Sequence, residues 1–298
     1  MIQITDKKKC TGCTSCFNIC PQNCISMTDD SEGFVYPNLL KEQCLDCGLC
    51  EKVCPMNKDG EAIEVSQTFY FQSNNEEDRK YSTSGALFSA LARKYLTESN
   101  SVYGVLYDDE MNVVHSKAKD SNDISKMRMS NYVQSDMNEV MQSIKIDLTQ
   151  NRKVLFVGTP CQVAGVHEYV SLVAPKYMEN LLLIDLECYG VPSPKLYRKW
   201  IDYLNQKYHS AVNNIFFRDK KYGYSGVNIK VCFENGKCLE DHLDAKLFTR
   251  TMFSGIGLRP SCYECGYRNR KKVSDLTLGD GWSVDKEFPD MDDEKGTT

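Results

Sequence analysis

Cysteine is the residue type that points most directly to chemistry in this sequence. The 298 residues include 15 cysteines, and nine of them lie within the first 54 positions. Eight of these nine form two identical runs, Cys10-x2-Cys13-x2-Cys16-x3-Cys20-Pro21 and Cys44-x2-Cys47-x2-Cys50-x3-Cys54-Pro55. Thiolates at this spacing are typical ligands of 4Fe–4S cubes, which exchange single electrons. The repeat therefore predicts two iron–sulfur centres.

The spacing also predicts which cysteines share a cube. Three closely spaced cysteines wrap a loop around one cube, and the fourth of each run points to the other cube. We expect one cube on Cys10, Cys13, Cys16 and Cys54, and a second on Cys44, Cys47, Cys50 and Cys20. A zinc ribbon is the alternative, but it needs only four cysteines and does not explain both prolines. The region resembles a two-cluster 4Fe–4S ferredoxin domain over residues 1–57.

Four cysteines in the rest of the chain form a second candidate set. Cys161 and Cys188 each follow the end of a predicted strand, where α/β sheets build their sites. Cys262-x2-Cys265 is a local chelating pair. Together these thiolates could hold a third cube or a zinc ion, or they could be separate buried and loop thiols.

The last two cysteines of this part, Cys232 and Cys238, flank a strong turn signal at Asn235-Gly236. A two-residue turn at this dipeptide predicts a hairpin in which the two thiols lie on opposite faces. We therefore expect both to be packing residues, and we expect Cys24, outside the two runs, to be a small buried residue.

The overall composition excludes several classes of protein. Hydrophobic residues make up 41% and charged residues 26%, and the formal net charge is −5. This balance argues against a nucleic-acid surface, and no apolar stretch is long enough to predict a membrane span. Unpaired thiols at this density, without a secretory signal at the N-terminus, predict a cytoplasmic protein. The four histidines form no recognisable triad, and His115, in a predicted strand, is expected to be structural.

The expected fold is α+β, with an N-terminal two-cluster ferredoxin-type domain followed by a larger α/β-type domain with a mixed sheet. We place these domains at residues 1–57 and 68–298, joined by a polar linker at 58–67. Hydrophobic patterning predicts strands and helices in alternation through the larger domain. The strands are expected at 102–107, 113–118, 153–157, 181–186, 228–233 and 237–239, and the helices after Ser82–Ser84, from Ser121, over 136–148, after Gly158 and over 194–208.

Motifs in this larger domain resemble the coenzyme F420 hydrogenase/dehydrogenase beta-subunit family. They are Ser82-Thr-Ser-Gly-Ala-Leu-Phe, Arg128-Met-Ser-Asn-Tyr-Val-Gln-Ser, Val154-Leu-Phe-Val-Gly-Thr-Pro-Cys-Gln-Val-Ala-Gly, Phe217-Arg-Asp-Lys and Cys262-x2-Cys265…Ser274-Asp-Leu-Thr-Leu-Gly-Asp-Gly-Trp. Asn131 replaces the family's lysine, and Tyr224 replaces its tryptophan. Family members usually continue beyond the position of Thr298, so we expect this chain to be truncated at its C-terminus.

The resemblance implies a flavin and a third 4Fe–4S cluster, the latter on Cys161, Cys188, Cys262 and Cys265. FAD would accept two electrons together and release them singly to the clusters. Ser82, Ser84 and Gly85 precede a helix whose free amides could bind the pyrophosphate, although plain helix capping explains the same residues. The remaining candidate flavin contacts are Arg128, Ser130, Tyr132, Gly158 and Thr159. Catalytic residues are not assigned.

The function expected from these features is that of an FAD-dependent iron–sulfur oxidoreductase. It would pass electrons between 4Fe–4S clusters and a soluble hydride carrier, either F420-like or NAD(P)H. The alternative is a non-catalytic electron-transfer subunit that feeds a separate oxidoreductase partner. The expected partners are accordingly a redox protein or a soluble hydride carrier, with no nucleic acid and no membrane span.

Overall fold

The chain folds around a five-stranded mixed sheet. The computed structural model describes residues 1–58, 67–224, 226–268, 272–282, 284–291 and 295–298. The described strands are β1 (Ile25–Asp29), β2 (Val35–Leu39), β3 (Asn100–Tyr107), β4 (Val113–Lys117), β5 (Lys153–Gly158), β6 (Leu181–Leu186), β7 (Val212–Phe216), β8 (Lys230–Phe233), β9 (Cys238–Glu240) and β10 (Leu276–Leu278). The described α-helices are α1 (Ser15–Ile19), α2 (Leu49–Lys52), α3 (Glu76–Tyr81), α4 (Leu87–Tyr95), α5 (Ser121–Met127), α6 (Val140–Thr149), α7 (Pro160–Val173), α8 (Pro194–Tyr208), α9 (Leu243–Phe253), α10 (Pro260–Tyr263) and α11 (Val284–Glu287).

The central sheet has the strand order β10-β6-β5-β3-β4. Its first four strands are parallel, and β4 joins β3 as an antiparallel edge strand. Leu155 and Phe156 are adjacent on β5 and both fully buried, because helices cover the two faces of the sheet. The predicted mixed sheet is thus confirmed. Since β5 and β6 are parallel neighbours, their carboxyl ends meet at the same edge, just before Cys161 and Cys188.

The cysteine-rich N-terminal region packs directly against this larger domain. It consists of the β1–β2 hairpin and the short helices α1 and α2. Ile19 and Val53 share one cluster of buried residues with Val163 and Val166 of α7. A region of this size buries little apolar surface by itself, so packing on α7 completes its core.

A second, three-stranded sheet has the order β7-β8-β9. It packs with α8 and α9 around Trp200 and Phe248, whose rings stack with their centroids 5.3 Å apart. This layer covers the side of the molecule that carries the β8–β9 hairpin.

The β8–β9 hairpin contradicts the register expected from its turn signal. Cys232 lies directly opposite Cys238, and the two form a disulfide with Cα atoms 4.2 Å apart. The amide of Phe233 donates to the carbonyl of Lys237, and Gly236 adopts a left-handed φ of 82°, so the loop has three residues rather than two. The extra residue shifts the register by one and brings both thiols to the same face. The expectation of two separate packing cysteines is therefore wrong, and Cys238 is in fact exposed.

Most predicted elements are present, but two helices begin later than expected. α4 starts at Leu87 rather than after Ser82–Ser84, because Ala86 takes a left-handed φ of 67°. α6 starts at Val140 rather than at 136, because Asn138 has a φ of 38°. The strands β1, β2, β7 and β10 and the helix α9 were not predicted.

Most of the predicted linker, residues 59–66, lies outside the described residues. Within the part of the chain that the structure describes, no helix combines the length and apolarity needed to cross a bilayer.

Candidate iron–sulfur centres

The two cysteine runs of the N-terminal region share one backbone geometry. In the first run Gly12 and Thr14 have left-handed φ values of 69° and 63°, and in the second run Asp46 and Gly48 have values of 51° and 72°. These four residues occupy equivalent positions two and four residues after the first cysteine. The repeat in sequence is therefore a repeat in conformation, with each loop turned so that its thiols point inward.

The structure groups the first set as the spacing predicts. Cys10, Cys13, Cys16 and Cys54 line one cavity of about 330 Å³. Burial raises the pKa of Cys54 to about 11, and the neighbouring thiols of Cys13 and Cys10 raise it further. Burial likewise raises the pKa of Cys16 above its usual range. Four thiols are thus held close together, and a cationic centre would favour their thiolate forms there.

The second set lies around a neighbouring cavity. Cys20, Cys44, Cys47 and Cys50 line this cavity of about 360 Å³. The amide of Ile2 points at Cys50 Sγ at 3.3 Å, and the amide of Asp46 points at Cys44 Sγ at 3.4 Å. Cys24 is 2% exposed, as expected, with its Sγ 3.3 Å from Cys20 Sγ. Unlike the first set, the second includes an exposed member, Cys47.

The third set converges although its members are far apart in the sequence. The thiols of Cys188, Cys262 and Cys265 all act electrostatically on Cys161 and raise its pKa, which burial has already raised. Burial also raises the pKa of Cys188 to about 12, with the thiols of Cys262 and Cys265 raising it further. The four cysteines therefore form a single site.

Two long-range features of the fold assemble this third site. Cys161 lies in the first turn of α7, which begins after β5 with a capping box between Thr159 and Gln162. After β6 the chain runs antiparallel to the segment before α10: the amide of Arg259 donates to the carbonyl of Val191 at 2.9 Å. This pairing returns the Cys262–Cys265 segment to the edge where Cys188 lies.

The first and third sets are neighbours. Gly165, one turn after Cys161 on α7, faces the first set: a Cβ there would lie 2.9 Å from Cys13 Cβ and 2.6 Å from Ser15 Oγ. Tyr267, two residues after Cys265, donates its hydroxyl hydrogen bond to the carbonyl of Pro55 at 2.7 Å. Sequence reasoning missed both contacts, because neither residue type signals a site.

The donor chemistry of all three sets fits iron–sulfur cubes. Each set offers four thiols and no carboxylate, the composition that 4Fe–4S clusters require. No three His, Cys, Asp or Glu side chains of the described residues are placed to share a single metal ion. The ligands of a cube bind different iron atoms and stand farther apart than those of one ion, so this finding does not bear on a cube.

The residues predicted to bind the flavin pyrophosphate have partners within the chain. Ser82 is buried and its hydroxyl lies 3.2 Å from that of Ser89. The Ser84 hydroxyl lies 2.9 Å from that of Thr298, and a Cβ on Gly85 would lie 2.1 Å from the carbonyl oxygen of Phe71. The turn before α4 therefore contacts residues 71 and 298, and its amides do not face an open cradle.

Arg128, Ser130 and Tyr132 lie on the segment after α5, and the structure gives each a local contact. Arg128 donates to the carboxylate of Asp78 at 3.0 Å. Ser130 accepts a hydrogen bond from the Thr83 hydroxyl at 3.0 Å. The Tyr132 ring packs edge-on against two phenylalanines, Phe217 at 5.4 Å and Phe253 at 5.3 Å.

Gly158 and Thr159 lie beside the third site rather than beside Ser82–Gly85. A Cβ on Gly158 would lie 3.1 Å from the Phe156 ring, which keeps this end of β5 tightly packed. The Thr159 hydroxyl lies 3.4 Å from Cys161 Sγ. The eight candidate flavin residues therefore do not gather into one group: Ser82–Gly85 and Ser130 adjoin each other, whereas Gly158 and Thr159 adjoin a cysteine.

His115 is structural, as expected. It is fully enclosed between the end of β5 and the segment before α6: Nε2 is 2.9 Å from the carbonyl of Val157, and Nδ1 is 2.8 Å from the Ser135 hydroxyl. Burial lowers its pKa to about 4. The neutral ring thus bridges two elements and helps to position the strand that precedes Cys161.

Exposed aromatic side chains border the third site. Tyr189, which follows Cys188, is 43% exposed and lies 5.7 Å from the ring of Phe253, which is 40% exposed. Tyr263, which follows Cys262, is 56% exposed. A planar ring or an apolar protein surface could contact this aromatic patch directly next to the cysteines.

Comparison with known proteins agrees with the two halves of this description. Residues 9–58 match the 4Fe–4S dicluster domain, and residues 151–298 match the family described as the C terminus of the coenzyme F420 hydrogenase/dehydrogenase beta subunit. A chain from a xenon-derivatised structure of the F420-reducing [NiFe] hydrogenase complex of Methanosarcina barkeri is similar at 18% identity, with a TM-score of 0.41. The match covers 61% of this chain and 60% of that one. No curated protein matches significantly. The chain therefore belongs to the coenzyme F420 hydrogenase/dehydrogenase beta-subunit family and is an iron–sulfur electron-transfer protein.

Proposed function

We propose that the chain transfers electrons between a redox partner and three 4Fe–4S clusters, the third bound by Cys161, Cys188, Cys262 and Cys265. The observation that carries this proposal is the convergence of those four thiols on one site. The first two clusters would be bound by the two sets of the N-terminal region. Such clusters, when bound, accept and release one electron at a time.

The position of the third set supports an electron-transfer role over a structural zinc. Zinc has no redox chemistry, so a zinc site gains nothing from being close to the ferredoxin-type cysteines. Here α7 carries Cys161 in its first turn and contacts Cys13 through Gly165 one turn later. A single helix thus holds one set against the other, which is what electron exchange between neighbouring centres needs.

The two ends of this arrangement differ in exposure. Among the cysteines of the first set, Cys13 and Cys16 are buried, whereas the second set includes the exposed Cys47. Leu45, two residues before it, is 66% exposed. We propose that a redox partner protein exchanges electrons at the second set, and that the third set exchanges them at the aromatic patch.

A flavin-dependent oxidoreductase is the second candidate function. It is favoured by the exposed rings of Tyr189, Phe253 and Tyr263 beside the third set, against which an isoalloxazine could stack. In this form FAD would exchange a hydride with F420 or NAD(P)H and pass single electrons to the clusters. The predicted pyrophosphate residues fit less well, because Ser84 and Gly85 contact Phe71 and Thr298 instead.

Cofactor analysis under anaerobic conditions tests both functions on one sample. We expect about twelve iron atoms and about twelve sulfides per chain, four for each of three clusters. About eight of each would reject the third cluster. Extracted FAD at about one per chain, with oxidation of F420H2 or NAD(P)H by the isolated chain, would establish the flavin-dependent function. Full iron without flavin or such oxidation would leave the electron-transfer role alone.

A further inference from the structure

A buried arginine connects the first and third sets. Arg259 is 1% exposed and lies three residues before Cys262. Its Nε donates to the carbonyl of Cys10 at 2.9 Å, and one terminal nitrogen lies 3.8 Å from Cys10 Sγ. The guanidinium therefore belongs to the chain segment of the third set and contacts a cysteine of the first.

The first cysteine loop is shaped to admit this guanidinium. A Cβ on Gly12 would lie 2.7 Å from a terminal nitrogen of Arg259, so no other residue fits at that position without displacing it. The same nitrogen donates to Gln134 Oε1 at 3.1 Å, and Gln134 in turn donates to the carbonyl of Thr11 at 2.8 Å. The Tyr36 ring lies 4.6 Å from the guanidinium carbon.

The charge of Arg259 has no carboxylate partner among the described residues. A further contact is the carbonyl of Val35, at 2.7 Å. A buried guanidinium surrounded only by neutral acceptors is unfavourable unless a negative charge lies nearby. A cube with four thiolate ligands is anionic, and reduction makes it more so, which places the missing negative charge next to Cys10.

We infer that Arg259 is the residue that sets the reduction potential of the cluster bound by Cys10, Cys13, Cys16 and Cys54. Its positive charge and its contact with Cys10 Sγ stabilise the reduced, more negative form and so raise the potential of this cluster above that of its twin. The second set offers no equivalent among the described residues: nothing lies within 4 Å of a Cβ built on Gly48. The two ferredoxin-type clusters, alike in their ligands, thus differ in their surroundings.

The test is an anaerobic redox titration of the holoprotein with dithionite, which supplies the electrons, followed by electron paramagnetic resonance. In Arg259→Gln we expect one midpoint potential to move to a more negative value while the others stay in place. Arg259→Lys, which keeps the charge, is expected to move it less. The signal that moves should be the one that Cys16→Ser eliminates.

Tyr267→Phe is the matched control. It removes an uncharged hydrogen bond at the same interface, so it is expected to leave every potential unchanged. If Arg259→Gln loses iron, Gln134→Glu decides the question, because it places a carboxylate against the guanidinium; the same potential should then become more negative. Unchanged potentials in the iron-replete variant, or an equal shift of all clusters, would overturn the inference.

This inference rests on the proposed ligands of the first cluster and not on the third cluster. A wild-type chain with about eight iron atoms would reject the third cluster, yet the Arg259 titration would still give its own answer. The two failures are therefore distinguishable.

Discussion

The two cysteine regions of this protein are built in different ways. In the N-terminal region, eight cysteines lie within 45 residues, and equivalent left-handed positions, such as Gly12 and Asp46, turn both loops inward. The third set draws on residues that are as much as 104 positions apart, from Cys161 to Cys265, and only the neighbouring ends of β5 and β6 bring them together. A local site depends on loop spacing, whereas a dispersed site depends on the correctness of the whole sheet.

The contrast also explains why the two regions are joined so closely. The N-terminal region completes its core on α7, the helix that presents Cys161. The same helix therefore supports a local site on one side and a dispersed site at its first turn. The following predictions test how separate the two regions are.

The largest effect is expected from a cysteine that belongs to one run but serves the other set. Cys54→Ser should remove the cluster of the first set, with loss of about four iron atoms per chain, because Cys54 lines the cavity of Cys10, Cys13 and Cys16. Iron analysis and electron paramagnetic resonance measure this loss. Cys24→Ser, a buried cysteine outside both sets, is the control and should retain the signal. Loss of the signal that Cys47→Ser eliminates would show that the runs do not exchange their fourth cysteines.

The next effect is confined to the dispersed site. Cys188→Ser should lower the iron content from about twelve to about eight atoms per chain while both ferredoxin-type signals persist. The reason is that Cys188 lies together with Cys161, Cys262 and Cys265. Cys238→Ser, which removes an exposed cysteine elsewhere, should leave the iron content intact. Simultaneous loss of all three clusters would mean that the two regions are one site.

A smaller effect is expected at the contact between the regions. Gly165→Ala should destabilise the protein by about 1–3 kcal/mol, although alanine is ordinarily the better helix former, because its Cβ would overlap Cys13 and Ser15. Chemical denaturation under anaerobic conditions measures the change. Ser171→Ala on the same helix, away from the N-terminal region, is the control. A stabilised Gly165→Ala variant would show that the contact is loose.

The smallest effect is a pH dependence of the larger domain. The pKa of His115 is lowered to about 4 by burial, so the unfolded chain binds more protons than the folded one below about pH 6.5. Stability from the neutral ring is therefore complete above that pH and is lost as the pH falls toward 4. His115→Gln should flatten this part of the curve of thermal midpoint against pH. His209→Gln, at the end of α8, is the control, and parallel curves for wild type and His115→Gln would contradict the prediction.

Much of the fold was readable from local patterns. The strands β3 to β6 and the helices α5, α7 and α8 were predicted, because apolar periodicity over five or more residues reflects burial directly. The later starts of α4 and α6 were not, since Ala86 and Asn138 adopt left-handed conformations that their residue types do not demand. The β8–β9 register was also missed, because Asn-Gly fits both a two-residue turn and a three-residue loop.

The site divides along the same line. The sequence by itself determined the two ferredoxin-type sets, because a spacing of three residues fixes where a loop can aim its thiols. The tertiary structure alone decided that Cys161, Cys188, Cys262 and Cys265 meet, that Cys232 bonds to Cys238, and that Arg259 reaches Cys10. These contacts join residues whose neighbours in sequence carry no information about them. Strand order and the packing of α7 place them, and both depend on the burial of the whole chain.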